Sequence, residues 1–175
     1  VNNAHYSSLD GVLSDKNQST LIQSSTGKKG GYGTPSTVPP IGEGSFASCR
    51  KLSTVDIPPG VTIIESGSFA GCLGLTDIVI PSTVQRIESD AFAGCSALMS
   101  ITIPPSVTSI GGSAFEGCSS LESVVIPSNV STIEGNTFNG CGSLISIEIP
   151  SSVTSIEESA FKGCDSLTRI EVDSG

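Results

Sequence analysis

A strict 23-residue period is the feature that most constrains the fold of this 175-residue chain. Six cysteines mark the period, and they lie at Cys49, Cys72, Cys95, Cys118, Cys141 and Cys164. Phenylalanine recurs at the same interval from Phe46 to Phe161, and leucine does so from Leu52 to Leu167. Repeats of this length without insertions are typical of stacked units, whereas a disulfide framework has irregular spacings. The sequence therefore predicts a solenoid.

Each unit combines two short extended segments and a turn. One full unit, residues 121–143, reads LESVVIPSNVSTIEGNTFNGCGS. The alternation of Val124 and Ile126 with variable residues predicts a half-buried strand, which ends at Pro127 because proline has no N–H to donate to a ladder. The next two apolar positions mark a second extended segment. The segment at 113–118, SAFEGC, and its copies predict one helical or 3-10 turn that ends at glycine.

A unit of this size cannot bury its own apolar side chains, so neighbouring units must stack with equivalent strands paired in parallel, ~4.8 Å apart. The predicted fold class is α/β leaning to β, as a right-handed leucine-rich solenoid of about six coils over residues 35–175. Residues 1–34 are predicted to form a β-hairpin and connector, in which a polar turn at residues 15–18 separates two short apolar stretches. We expect Gly30–Gly33 to be a turn.

The string IPSSVTSIEESAFKGCDSLTRIEV, from Ile149 to Val172, and its copies resemble the BspA-type leucine-rich repeat, a variant found in surface proteins of bacteria and some protists. The resemblance covers residues 35–172 as repeats. The segments at 6–22 and 27–35 are similar to the hairpin that interrupts many such arrays. The resemblance implies a non-enzymatic structural or adhesion role at the cell surface or outside the cell.

Composition and motifs exclude several classes of function. A formal charge of −9 and a pI near 4.4 repel nucleic acids and anionic membrane surfaces. No apolar run approaches the ~18 residues needed to span a bilayer. The sequence holds no nucleophile elbow, zinc-protease motif or phosphate-binding loop, and His5 is its one histidine. We therefore predict no enzymatic activity, no cofactor, no bound metal, no nucleic-acid partner and no membrane insertion.

The cysteine column is interpreted as a core position that holds free thiols. Successive cysteines come within bridging range, but parallel stacking points their Cβ atoms the same way and opposes a bond. Zinc is disfavoured because there is no CxxC pair and the histidine lies outside the repeats. Stacked glutamates such as Glu134 and Glu157 offer a second place for a cation, although solvated carboxylates are the more common outcome.

Two outward columns on the predicted strands are the candidate surface for a protein partner. Four apolar residues stand in them where serine or threonine would serve solubility, and they are Val79, Met99, Val125 and Ile145. They predict a shallow patch in the middle of the array. Scattered surface aliphatics, which need no function, are the alternative. Separately, the sequons at Asn17 and Asn129 are possible sites for N-glycans in a eukaryotic host.

The ends of the array suggest two functional hypotheses. The last strand, at residues 168–172, would be an open edge, and the residues after it lack the usual proline and look like the lead-in to another hairpin. We therefore expect one cassette of a tandem array, or a module that stacks end to end with copies of itself into a filament. The alternative is a lateral binding module that recognises a host or matrix protein through its strand face.

Overall fold

The computed structural model describes residues 6–9, 12–15, 21–24, 30–33 and 41–173. Secondary structure in these residues consists of short strands and turns, without a helix. The strands are β1 (Tyr6–Leu9), β2 (Val12–Asp15), β3 (Leu21–Ser24), β4 (Gly30–Gly33), β5 (Leu52–Asp56), β6 (Ile63–Ile64), β7 (Asp77–Val79), β8 (Arg86–Ile87), β9 (Ser100–Ile101), β10 (Ser109–Ile110), β11 (Ser123–Val125), β12 (Thr132–Ile133), β13 (Ser146–Ile149), β14 (Ser155–Ile156) and β15 (Arg169–Val172).

Parallel pairing between successive coils builds the solenoid, as predicted. The first strand of each coil belongs to the sheets β4-β5-β7 and β15-β13-β11-β9, and the second strand to β10-β8-β6 and β12-β14. Each coil lies one period from the next, so that Val55 pairs with Ile78 and Ile147 pairs with Ile170. The described chain makes about five turns, against the about six expected. The right hand of the solenoid stays a prediction.

A separate antiparallel sheet precedes the solenoid. Strand β1 pairs with β2, and β2 pairs with β3 through a register shift between Leu13 and Ser14. The described residues thus place three strands where a hairpin of two was expected. Residues 16–20, which include most of the predicted polar turn, lie outside the described residues, and the boundary at residue 34 stays a prediction.

The prediction of a turn at Gly30–Gly33 is wrong, because these residues form β4 and pair in parallel with β5. Tyr32 lies opposite Val55, one period away, and the register shifts between Gly30 and Gly31. Glycine favours turns in an isolated segment, but it adopts an extended backbone readily when a neighbouring strand supplies ladder hydrogen bonds. A prediction from the local sequence does not take the pairing with the edge of β5 into account.

The core consists of columns to which each coil contributes one side chain. Successive phenylalanine rings from Phe46 to Phe161 stack with centroids 5.2 to 5.6 Å apart and planes within 8° of parallel. The leucine column from Leu52 to Leu144 is fully buried beside them. The core positions predicted for phenylalanine and leucine are therefore confirmed, and the apolar core is continuous from coil to coil.

The prediction of a helical or 3-10 turn in each coil is not supported. In the segment at 113–118, the amide of Phe115 donates to Thr137 and that of Gly117 to Asn139, both in the next coil, over 2.9 and 2.7 Å. The alternate amides of the segment donate three residues back within their own coil, over 3.0 to 3.2 Å. In a helical turn, all of these amides would donate to carbonyls of the same segment. Because every second amide joins the ladder between coils, the segment forms turns instead.

Two left-handed residues in each coil make this alternation possible. In one coil they are Ser113, with φ of 58°, and Gly117, with φ of 70°. The position equivalent to Gly117 is glycine in five coils. Glycine at such a position is typical of the C-terminal end of a helix, which is why the sequence predicts a helical turn here. The left-handed backbone turns the following amide back toward the coil, so that glycine here serves the turn and not the end of a helix.

Candidate partner-binding face

The first strand of each coil exposes side chains on one flat surface. In β7, Ile78 is buried while Asp77 and Val79 are exposed, and β11 and β13 repeat this alternation. The residue just before the strand is exposed as well, and its backbone continues the ladder, as when the Glu122 amide donates to the Met99 carbonyl over 3.0 Å. We define the strand face as the positions equivalent to residues 122, 123 and 125 in each coil.

All four apolar residues predicted for a partner lie on the strand face with more than half of their surface exposed. The exposed fractions are 61% for Val79, 53% for Met99, 68% for Val125 and 53% for Ile145. Leaving four large aliphatic side chains more than half exposed forgoes the stabilisation that burial would give them. The strand face is therefore the candidate functional site of the described residues.

The four side chains form a zigzag with one member in each coil, which differs from a continuous patch. Val79 and Val125 stand in one column, two coils and ~10 Å apart, with Thr102 between them. Met99 and Ile145 stand in the other column at the same spacing. A column of Asp77 and three serines (Ser100, Ser123, Ser146) runs between the two. A partner would have to reach across this polar column to touch all four.

Carboxylates occupy much of the remaining strand face. They are the exposed side chains of Asp56, Asp77, Glu122, Glu148 and Glu171. Arg169 is the one cation among the described residues of this face, and it pairs with Glu171 within the same strand. The strand face is thus strongly acidic as well as aliphatic.

The six cysteines form a second column, which faces the core. Five of them are fully buried, Cys164 is half-buried, and the six are not joined by disulfides. Each thiol from Cys72 to Cys164 donates to the carbonyl of a phenylalanine in the preceding coil. Cys72 donates to Phe46 over 3.1 Å, and Cys118 donates to Phe92 over 3.2 Å. Cysteine therefore adds a hydrogen bond to the small apolar volume that the sequence predicts for this position.

Burial makes the five thiols from Cys72 to Cys164 hard to ionise. It raises the pKa of Cys72 and of Cys141 from the ordinary 9.0 to about 12, and the nearby thiol of the adjacent coil adds to the effect. Burial also raises the pKa of Cys118 well above its ordinary value. Since the thiolate is the nucleophile and the metal ligand, a column of protonated thiols is suited to packing and not to chemistry.

The thiol column makes the stability of the fold depend on pH at the alkaline end. The unfolded thiols ionise near pH 9 while Cys72 and Cys141 stay protonated to about 12. Their contribution is therefore complete below pH 9 and is lost as the pH rises from 9 toward 12. We expect urea unfolding in reducing buffer to show a shallower fall in stability from pH 8 to 10.5 for Cys72→Ala/Cys141→Ala, by a difference in slope that grows toward about 1.4 kcal/mol per thiol per pH unit above pH 9.

The matched control for this prediction is Val84→Ala, which removes a fully buried aliphatic side chain without removing a thiol. It should lower the free energy of unfolding equally at each pH and keep the slope of the wild type. Equal slopes for the cysteine variant and the wild type would show that the thiols are not buried in this way.

The stacked glutamates are engaged by backbone amides of neighbouring coils. The carboxylate of Glu134 accepts the amide of Gly112 over 2.8 Å, and that of Glu157 accepts the amide of Gly135 over 3.0 Å. This role between coils was not foreseen from the sequence. In the described part of the chain, no group of three or more histidine, cysteine, aspartate or glutamate residues is arranged to hold a metal ion.

The two sequons differ in what the structure describes of them. Asn129 is exposed, and its side-chain amide donates to the carbonyl of Pro105 in the preceding coil over 2.8 Å. Asn17, like His5, lies outside the described residues. Glycosylation at either position stays a prediction.

Comparison with known families settles the origin of the repeat. The sequence profile described as the BspA type leucine rich repeat region matches residues 32–144 and 86–175, with six copies. The chain belongs to the BspA-type leucine-rich repeat family. The resemblance inferred from the sequence is thereby confirmed. A comparison with curated protein sequences gave no significant match.

Solved structures similar to this BspA-type chain are bacterial leucine-rich repeat proteins. The leucine-rich repeat protein of T. pallidum shares 29% identity at a TM-score of 0.81, over 87% of this chain and 73% of that one. A leucine-rich cell surface protein of Faecalibacterium prausnitzii shares 32% identity at a TM-score of 0.70, over 98% of this chain and 40% of that one. The pneumococcal vaccine antigen PcpA, at 21% identity and a TM-score of 0.74 over 98% of this chain and 48% of that one, shares the fold.

The chain spans 40% of the length of the Faecalibacterium protein and 73% of the treponemal one. Among the described residues, none of the secondary structure is a helix of the length and apolar character needed to cross a bilayer.

Proposed function

We propose that this BspA-type array is a non-enzymatic module of an extracellular or cell-surface protein, where it acts as a spacer and as an adhesion surface. The observation that carries the proposal is the strand face, on which four large aliphatic side chains are each more than half exposed. The description of the Faecalibacterium relative as a cell surface protein supports the location.

The spacer role follows from the way the coils are joined. From residue 41 onward, successive coils are hydrogen-bonded through the turn and along one or both strands, and the core columns run through without interruption. Such an array resists bending, and its length grows by ~4.8 Å with each added coil. It holds the strand face at a fixed distance and presents side chains at a regular interval.

The adhesion role predicts that the exposed aliphatic side chains carry attachment to a protein partner. Beads coated with the Met99→Glu/Ile145→Glu variant should lose attachment to epithelial-cell and extracellular-matrix layers by at least about tenfold, since burying two carboxylates in an apolar contact is costly. Attachment is measured by counting beads after controlled shear.

The matched control is Thr62→Glu/Ser131→Glu, which adds the same charge at two exposed positions beside the second strands. It should attach like the wild type. Equal attachment by both variants would refute lateral adhesion through the strand face, and circular dichroism of each variant verifies that the solenoid is intact.

Assembly along the solenoid axis is a second candidate function, favoured by the last described coil. In this coil Ile156, Ile170 and Val172 are 51%, 56% and 70% exposed, and β15 pairs with β13 on one side. A further coil, from a longer chain or from another copy, would cover these side chains and the strand edge. A tandem array or a head-to-tail filament would both provide it.

Electron microscopy of the native material tests this second candidate. Long filaments with an axial repeat near one cassette are the expected result for head-to-tail stacking. A population of isolated short rods at all protein concentrations would contradict the filament and leave lateral adhesion unaffected.

A further inference from the structure

The strand face combines two properties that together limit the kind of partner it fits. Its aliphatic side chains stand in a zigzag, and five exposed carboxylates surround them. Its described residues supply one cation, Arg169, which already pairs with Glu171. A partner that covers this face must therefore supply apolar contacts and positive charge at the same time.

In the coils of β11 and β13, carboxylates and aliphatic residues alternate sides. In the coil of β11, Val125 stands in one outer column and Glu122 in the other. In the next coil the order is reversed, with Ile145 and Glu148. Any segment that runs along the solenoid axis and touches the aliphatic side chains thus passes beside a carboxylate in each of these coils. Covering Glu122 or Glu148 with an uncharged surface would remove water from the carboxylate without replacing it.

We propose that the strand face binds a cationic polypeptide segment that also carries aliphatic side chains and lies along the solenoid axis. This inference rests on the proposed adhesion function and adds the chemistry of the partner. Lysine or arginine side chains of the segment pair with Asp77, Glu122 and Glu148, while its aliphatic side chains contact the zigzag. Charge complementarity speeds the encounter and rejects acidic partners, and the aliphatic contacts slow dissociation.

The spacing of the aliphatic residues selects a suitable probe. Members of one column lie two coils apart, ~10 Å. In an α-helix, residues seven apart lie ~10.5 Å apart on the same face, whereas side chains on one face of a strand recur every ~7 Å. An amphipathic helix whose leucines repeat at three- and four-residue intervals, with lysine at the other positions, therefore matches the columns.

The experiment measures binding of a 21-residue lysine/leucine peptide of this design to the full chain by isothermal titration calorimetry and fluorescence anisotropy. Two comparison peptides accompany it, one with the same composition and its leucines gathered at one end, and one with glutamate in place of lysine. Titrations at low and high salt separate the charge contribution, because exposed pairs are screened by salt.

Three variants of the chain distinguish the contributions. An aliphatic set (Val79→Thr, Met99→Thr, Val125→Thr, Ile145→Thr) keeps the charge, and a carboxylate set (Asp77→Asn, Glu122→Gln, Glu148→Gln) keeps the aliphatic side chains. The control set (Glu43→Gln, Glu158→Gln, Asp165→Asn) removes three exposed carboxylates outside the strand face. All of the substitutions are at exposed positions, so the folded state is retained and is checked by circular dichroism.

The expected result is binding of the designed peptide that weakens at least about tenfold in the aliphatic set and in the carboxylate set, and stays within about twofold in the control set. Equal weakening in the control set would show adsorption to an acidic protein and overturn the inference. Equal binding of the glutamate peptide, or no binding by the wild type, would also overturn it. None of these results affects the interpretation of the bead experiment, which tests the proposed adhesion function separately.

Discussion

Backbone hydrogen bonding between successive coils is the interaction on which the rest of this structure depends. From residue 41 onward it joins each pair of successive coils through the turn, where every second amide reaches the next coil, and it continues along the strands except between β7 and β9 and between β10 and β12. Because equivalent turn residues pair at each step, every side chain lies above its counterpart one period away. Columns of phenylalanine, leucine and cysteine in the core, and of aliphatic and acidic residues outside, are consequences of this registry.

The registry also explains how a chain without a catalytic motif presents a functional surface. A single exposed valine or isoleucine on a β-surface has little meaning. Here the solenoid repeats the same outward position at a fixed interval, so that separate substitutions in separate coils add up to an organised face. Val79 and Val125 are brought into one column, and Glu122 is set beside them, by the register of their coils, which the turn hydrogen bonds carry from the coil of β7 to that of β9. A partner that is itself periodic can engage several of these positions at once.

Much of this architecture could be predicted from the sequence, because the period identifies the columns. The burial of Phe92 and Cys95 and the exposure of Met99 follow from their places in the unit. The turn could not be predicted in the same way. Gly117 reads locally as the end of a helix, and the carbonyl of Asn139 that binds its amide is supplied by the next coil. The sequence-based predictions fail where a hydrogen bond to a neighbouring coil determines the local conformation.

The same reasoning applies to the strand β4 and to the glutamates. The extended backbone at Gly30–Gly33 is set by its pairing with β5, and local glycine content points the other way. The Glu134 carboxylate accepts a hydrogen bond from the Gly112 amide of the preceding coil, whereas the charge pattern alone predicts a solvated carboxylate or, less commonly, a cation site. The zigzag of the strand face likewise depends on how the outer columns of different coils are placed relative to one another. The alternation of buried and exposed residues within one strand does not predict this placement.

The registry between coils can be measured directly by NMR scalar couplings across hydrogen bonds in protein labelled with nitrogen-15 and carbon-13. We expect couplings from the Phe115 amide nitrogen to the Thr137 carbonyl carbon and from the Gly117 amide nitrogen to the Asn139 carbonyl carbon, because both pairs are bonded between coils at 2.9 and 2.7 Å. Couplings from these two amides to carbonyls three or four residues earlier in their own coil would instead indicate a helical turn, and would contradict the account.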